Sequence, residues 1–192
     1  VVVDAAPAPP DPGEVLEPVR GPRADTVLQG NAQGGARFDD ICPDGQIMIG
    51  FAGGIRRNAG YIGQLRVLCG VIRGAADGLT TDNGIILPSR GVFGDGGAVN
   101  QTCPAGHAVT GYGGRAGALV DQLFVNCARL ELDDDRLLPG AAQALPPSGG
   151  RGGGVFPVVN CAPGSFAVGG IIRAGDGVDA VGLTCATLRV AP

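Results

Sequence analysis

The chain writes one cysteine-framed unit three times, and that period constrains its fold more than any other feature. The first copy opens at Cys42-Pro43-Asp44-Gly45, reaches Gly50 and closes at Cys69. The second opens at Cys103-Pro104-Ala105-Gly106, reaches Gly111 and closes at Cys127. The third opens at Cys161-Ala162-Pro163-Gly164, reaches Gly169 and closes at Cys185. The returning segments match as well: Ile62, Val120 and Val178, then Leu65, Leu123 and Val181, then Val67, Val125 and Leu183. An Arg heads each return: Arg57, Arg115 and Arg173. The period predicts one threefold scaffold over most of the chain.

Six cysteines allow 15 pairings in principle, and the repeat selects the simplest: Cys42–Cys69, Cys103–Cys127 and Cys161–Cys185. A zinc site is a poor reading, because there is no C-x-x-C pair and His107 is the only histidine. Each bridge closes a loop of roughly 25 residues, worth ~3 kcal/mol in the chain-entropy model. Persistent disulfides imply an oxidising compartment, hence a secreted, extracellular or cell-surface protein. The chain does not begin with Met, which fits processing after a signal peptide. All 14 basic residues are Arg, consistent with a GC-rich, bacterial genome and incompatible with Lys–Asn isopeptide cross-links.

A chain of 192 residues can bury one core. Its 36 glycines do not fall at every third position, so it is not collagen-like. A net charge of -4 argues against a nucleic-acid partner. No apolar run reaches the ~18 residues of a membrane helix.

Residues 1–23 differ from the rest. They are Pro- and Ala-rich, favour extended conformation and cannot form a core alone. Beyond them a single domain, 24–192, divides into units 24–78, 79–135 and 136–192. Each unit has a Gly pair before its first Cys: Gly34-Gly35, Gly96-Gly97 and Gly153-Gly154. The local pattern is strand. Ile47, Ile49 and Phe51 alternate with other residues, as do Leu65, Val67 and Cys69. Cys-Pro-x-Gly places Pro second and Gly fourth, as type I turns favour. The two Cys-bearing strands of each unit are expected to pair antiparallel. Glycine density disfavours long helices, leaving only Leu132–Leu145 for a short one. An all-β fold follows: a threefold β-prism of three antiparallel sheets, with a β-trefoil as the alternative.

The C-P-x-G opening, the strand ending in Gly-Phe or Gly-Tyr and the return ending at Cys resemble the vitelline membrane outer layer proteins. That resemblance covers about 160 residues as a repeated pattern. It implies a three-sheet β-prism, similar in shape to jacalin-like lectins, in an extracellular coat. In such lectins sugar hydroxyls meet an Asp and backbone amides of Gly-rich loops at one end of the prism. By resemblance, Asp121 and Asp179 would serve with Gly96, Gly97, Gly153 and Gly154; the first unit has Gly63 in the Asp slot. An Asp that fixes a tight strand start is the competing reading, and the absence of Trp counts against sugar stacking.

Catalytic chemistry finds no constellation. His107 occupies a slot that holds Gln46 and Ser165 in the sister units, and no Ser lies in a G-x-S-x-G elbow. Asp133-Asp134-Asp135 has no EF-hand loop around it. Neither a metal nor a cofactor is expected. The three repeated arginines could bind acidic glycans or hydrogen-bond loop carbonyls. The sequence therefore predicts a non-catalytic secreted structural protein: a homo-oligomer or filament subunit whose tail docks on a neighbour through Val1, Val2, Val3, Val15 and Leu16. The alternative is a lectin-like carbohydrate-binding module or adhesin.

Overall fold

A computed structural model describes residues 10–57 and 59–190 of the chain. Val1, Val2 and Val3 lie outside the described residues. Strands fill the described chain, with no helix. The first unit holds β1 (Val15–Leu16), β2 (Pro18–Asp25), β3 (Gln29–Gly30), β4 (Ala36–Ile41), β5 (Gln46–Ile55) and β6 (Ile62–Ala75). The second holds β7 (Gly78–Ile86), β8 (Arg90–Gly91), β9 (Ala98–Thr102), β10 (His107–Ala116) and β11 (Val120–Asp133). The third holds β12 (Arg136–Ala144), β13 (Ser148–Gly149), β14 (Gly154–Asn160), β15 (Phe166–Ala174) and β16 (Val178–Val190).

These strands form a threefold β-prism, which excludes the trefoil. Its three principal sheets have the orders β9-β5-β6-β7, β14-β10-β11-β12 and β4-β15-β16-β2, with antiparallel pairing throughout. The sheets do not coincide with the sequence units. Each unit lends its outer strands to the sheet of the unit before it. The first unit lends β2 and β4 to the third, so the N-terminal and C-terminal ends of the chain close one sheet together.

Cys42 pairs with Cys69, Cys103 with Cys127 and Cys161 with Cys185, at Cα separations of 5.6, 5.5 and 5.7 Å. The paired cysteines do not lie on neighbouring strands of one sheet, as the sequence suggested. Cys42 donates its amide to Val168 of the third sheet, while Cys69 belongs to the first. Likewise Cys103 bonds Ile49 of the first sheet and Cys161 bonds Thr110 of the second, whereas their partners sit on β11 and β16. Each bridge thus joins two sheets where the chain crosses between them.

The two repeated glycines have distinct causes. Gly45, Gly106 and Gly164 take φ of +76°, +72° and +74° in the turn before each central strand. That turn closes one residue later than the sequence suggested: Gln46 N bonds Pro43 O, so Gly is third in the turn. Gly50, Gly111 and Gly169 sit at bulges of β5, β10 and β15, where a side chain would strike the neighbouring edge strand. The segment proposed as a short helix is instead β12, with Pro139 next to a bulge of β11.

The main core fills the prism interior with Phe51, Leu65, Tyr112, Leu123, Ile172 and Val181, among others, and includes all three disulfides. A second cluster lies beyond the disulfides, toward the turns; Ile47, Ile72, Leu130, Phe166 and Leu188 belong to it, and so does Leu16. Leu16 is 5% exposed and β1 pairs with β6. From Pro18 onward the supposed tail is β2, an edge strand of the third sheet. Its prolines fit an edge because a missing N–H there breaks no interior ladder. Arg20 fastens this strand to the first turn by donating to Pro43 O at 2.6 Å and Gln46 O at 2.8 Å. The described part of segment 1–23 therefore docks on its own body.

Buried polar groups tie the sheets to one another. Gln101, fully buried on β9, accepts from Val125 N and donates to Pro146 O and Ser148 Oγ. Asp40 holds the same slot on β4 and receives a two-pronged bond from Arg90, at 2.9 and 2.6 Å. The Arg90 guanidinium also lies 4.2 Å over the Phe38 ring. The Tyr112 hydroxyl lies 2.6 Å from Val27 O and 3.0 Å from Val181 O.

Two predictions follow from these ties. Replacing Cys161 and Cys185 together by Ala should cost about 2–5 kcal/mol in urea unfolding; an unchanged midpoint would show that this crossing needs no staple. Burial pushes the Tyr112 phenol up to about 12 from an ordinary value near 10. A raised folded-state value means stability is intact below pH 10 and falls as pH rises through 12, by roughly 3 kcal/mol. Tyr112→Phe should abolish that alkaline loss in rapid pH-jump unfolding. A variant with the wild-type alkaline profile would place the effect elsewhere.

Candidate functional site

Three hairpins converge at the end of the prism opposite the turns. A Cβ added at Gly177 of the β15–β16 hairpin would lie 2.9 Å from the Tyr61 ring and 3.4 Å from Leu119. Those two residues come from the β5–β6 and β10–β11 hairpins. Beside each hairpin lies the Gly-rich loop of the following unit, brought there by the strand exchange between sheets.

At the β15–β16 hairpin the partner loop is Gly34-Gly35, from the far end of the chain. Arg173 donates from Nε to Gly34 O at 2.6 Å and from Nη2 to Gly35 O at 2.8 Å. Gly35 has φ of +51°, and a Cβ on it would stand 2.5 Å from Asp179 Oδ2. The Asp179 carboxylate accepts from Gly175 N at 3.0 Å, while its backbone carbonyl accepts from Asn31 N. So one arginine holds the loop carbonyls and turns the loop toward a carboxylate.

The β10–β11 hairpin repeats this arrangement. Arg115 donates to Gly152 O at 2.9 Å and Gly153 O at 2.8 Å. Gly153 has φ of +58°, and its added Cβ would lie 2.6 Å from Asp121 Oδ2. Gly150 N bonds the Asp121 carbonyl. Burial pushes the Asp121 carboxyl up, and nearby Arg115 offsets part of that rise. Among the described residues, the amides of Gly35 and Gly153 have no hydrogen-bond partner. Each site thus offers a carboxylate acceptor and a backbone donor side by side, walled by glycine. That geometry suits a pair of vicinal hydroxyls.

The β5–β6 hairpin departs from the pattern. Gly63 replaces the Asp, and the Arg56 stem fills the space above it: an added Cβ would be 2.7 Å from Arg56 Cγ. Gly96 and Gly97 come to this hairpin, with Gly96 packed on the Arg57 backbone. They are therefore remote from both Asp121 and Asp179. The residue equivalent to Arg115 and Arg173 is Gly54, by strand register, and Arg57 lies in the loop beyond it.

Sequence reasoning named both carboxylates but assigned their partners differently. Asp121 faces Gly152-Gly153, one residue before the expected pair, while Gly154 begins β14 opposite Ala116. Gly34-Gly35 was a repeated pair without an assigned role, because its partner hairpin is about 140 residues away. A local signal did exist: Gly117–Asp121 and Gly175–Asp179 both read Gly-x-x-x-Asp, whereas Ala59–Gly63 does not. His107 lies at the opposite end, with Nδ1 2.9 Å from Ala105 O and with Asp77 and Arg129 in the same shallow cleft. Asp134 takes a turn conformation and Asp135 accepts from Arg189. Among the described residues no group of three His, Cys, Asp or Glu side chains could hold a metal ion. No described helix is long and apolar enough to cross a membrane.

No protein-family profile and no curated protein matches this sequence. Solved structures of the same fold do match. Malaysian banana lectin aligns with a TM-score of 0.54 at 15% identity, covering 85% of this chain and 98% of that one. A mannose-binding jacalin-related lectin from Ananas comosus aligns at 0.53 and 19% identity, covering 86% and 98%. Calystegia sepium agglutinin aligns at 0.53 and 16%, covering 92% and 98%. The chain has the jacalin-like β-prism fold. These neighbours, with the docking of β1 and β2 on their own body, overturn the reading as a filament subunit with a tail for its neighbour.

Glycine at these loops is a testable requirement. Gly35→Ala would place Cβ 2.6 Å from Ala174 O in left-handed backbone. It should cost about 2–3 kcal/mol, the sum of strain and loop displacement. Gly164→Ala, at φ of +74° but with nothing within 4 Å, should cost only about 1 kcal/mol. Urea unfolding compares them; equal losses would mean that close packing at the site adds nothing.

Proposed function

We propose that this chain is a secreted, non-catalytic carbohydrate-binding protein with two sites for neutral saccharides. The observation that carries the reading is the duplicated assembly of carboxylate, Gly pair and clamping Arg, at Asp179, Gly34-Gly35 and Arg173 and again at Asp121, Gly152-Gly153 and Arg115. In both copies the carboxylate and the loop backbone stand side by side with no side chain between them. The similar folds of proteins described as lectins support the same reading. Three disulfides support an extracellular setting, and the all-Arg usage supports a bacterial source. The threefold Cys-framed pattern also supports kinship with vitelline membrane outer layer proteins. Polar loops at one end of a stapled scaffold bind without large rearrangement, since the arginines have already fixed the loop carbonyls.

A glycan array followed by calorimetry tests this. Wild type should bind a neutral hexose oligosaccharide at two sites per chain. Asp121→Asn and Asp179→Asn should each weaken one site more than tenfold, as expected for loss of a charged acceptor worth about 1.5–3 kcal/mol, and the pair should leave neither site measurable. In the Asp179→Asn protein, binding should weaken on acidification from above the ordinary carboxylate range, because the raised Asp121 group takes up its proton early. A flat array for wild type, or undiminished binding by the double variant, would overturn the proposal.

A further inference from the structure

The β5–β6 hairpin has exchanged the carboxylate of its sister sites for two arginines. It lines a cleft with Arg56, Arg57, Gly60, Gly96, Gly149 and Gly150. We propose that this cleft binds the oxyanion of an acidic sugar, a carboxylate or a sulfate. The inference rests on the lectin reading only in taking the ligand to be a saccharide.

Several observations point the same way. With Gly63 in the Asp slot, no carboxylate stands where Asp121 and Asp179 stand, so an anion meets no repulsion there. The Arg56 stem fills that space, and among the described residues its guanidinium makes one hydrogen bond, from Nη1 to Phe93 O at 3.0 Å. A guanidinium has five N–H donors, so most of this fork is available to an oxyanion. The Arg57 guanidinium makes only long contacts, 3.6 Å to the Asp95 carboxylate and 3.4 and 3.3 Å to the Asp95 carbonyl, while the Arg57 amide donates to Asp95 Oδ1 at 3.2 Å. Its side chain is 67% exposed and that of Asp95 is 58% exposed. An ion pair so open is worth about 0–1 kcal/mol, and a bidentate ligand can displace it.

Glycine backbone forms part of the cleft wall: a Cβ on Gly150 would lie 3.0 Å from the Gly60 carbonyl carbon, so these two segments meet with no side chain between them. Phe93, whose carbonyl accepts from Arg56, is 68% exposed. Exposed Arg151 follows Gly150 directly. Two arginines thus line the cleft, with Asp95 beside Arg57 and with the Asp121 backbone carbonyl bonded to Gly150 N on the far side of the Gly149-Gly150 wall, in a chain whose net charge is -4. The positive island is local and sits at the same end as the two neutral sites.

The test uses the full chain carrying Asp121→Asn and Asp179→Asn, which disables the neutral sites. Three probes are titrated by calorimetry at low and high salt: an oligosaccharide ending in glucuronic acid, its counterpart ending in a sulfated hexose, and the uncharged parent. At least one acidic probe should bind in a salt-sensitive manner while the parent does not; which one binds identifies the oxyanion. Adding Arg57→Gln should weaken that binding about tenfold, and Arg56→Gln with Arg57→Gln should remove it. Because Arg57 is mostly exposed, its variant should keep the wild-type melting temperature, and in the otherwise wild-type chain it should keep neutral-sugar binding. Failure of both acidic probes at low salt, or undiminished binding in the folded Arg57→Gln protein, overturns the inference. Wild-type binding of the neutral probe with no acidic binding leaves the lectin reading standing alone. Acidic binding without neutral binding supports this cleft and removes the other two sites.

Discussion

The structure depends on the three crossings where the chain leaves one sheet for the next. At each crossing a Cys has its amide bonded to the sheet being left, and its sulfur is joined to the sheet being entered. No sequence unit can complete a sheet alone, because its first strands serve the unit before it. The ring closes only when β2 and β4 reach β15 and β16 across almost the whole chain. Contacts so distant in sequence carry a large loop-closure cost and slow folding. Covalent staples at the crossings fix the sheets to one another in the folded chain.

The same exchange builds the functional end. Each hairpin comes from one unit and each Gly-rich loop from the next, so every site is composite. Arg173 and Arg115 convert flexible glycine into fixed walls by holding two carbonyls each. In the proposed binding role, preorganisation of this kind would compensate for the scarcity of aromatic residues, because little ordering would remain to be done. The third hairpin shows how a repeated scaffold diversifies. Gly63 stands where the sister hairpins have a carboxylate, and a longer loop brings the Arg56 stem into the freed space, with Arg57 beside Asp95. Leu16, meanwhile, completes a core cluster with residues from all three sheets. From Val15 onward the N-terminal segment is thus part of the body.

Much of this was legible along the chain, and the misses share a cause. The cysteine pairing and the positions of Asp121 and Asp179 come from register within a unit, which the period displays. The turn glycines at 45, 106 and 164 show themselves for the same reason, since left-handed backbone selects Gly locally. The partners of the two carboxylates were misread because they belong to other units. Gly34-Gly35 and Asp179 are brought together by pairing between opposite ends of the chain, and no local pattern encodes that. Arg57 was aligned with Arg115 and Arg173 because the extra residues of the first unit fall between Gly54 and the hairpin tip, which only strand register locates.

What the sequence by itself determined was the repeat, the strand periodicity, the disulfide framework and the two acidic slots, all of them properties of residues close together in the chain. Tertiary structure alone decided which sheet each strand joins, which loop faces which carboxylate, and that residues from Val15 onward belong to the body. The physical reason is that an edge strand can satisfy its hydrogen bonds on any of several open sheet edges with similar local energy. The choice among those edges is made by burial of shared side chains such as Leu16, Phe51 and Tyr112 once all three sheets are present.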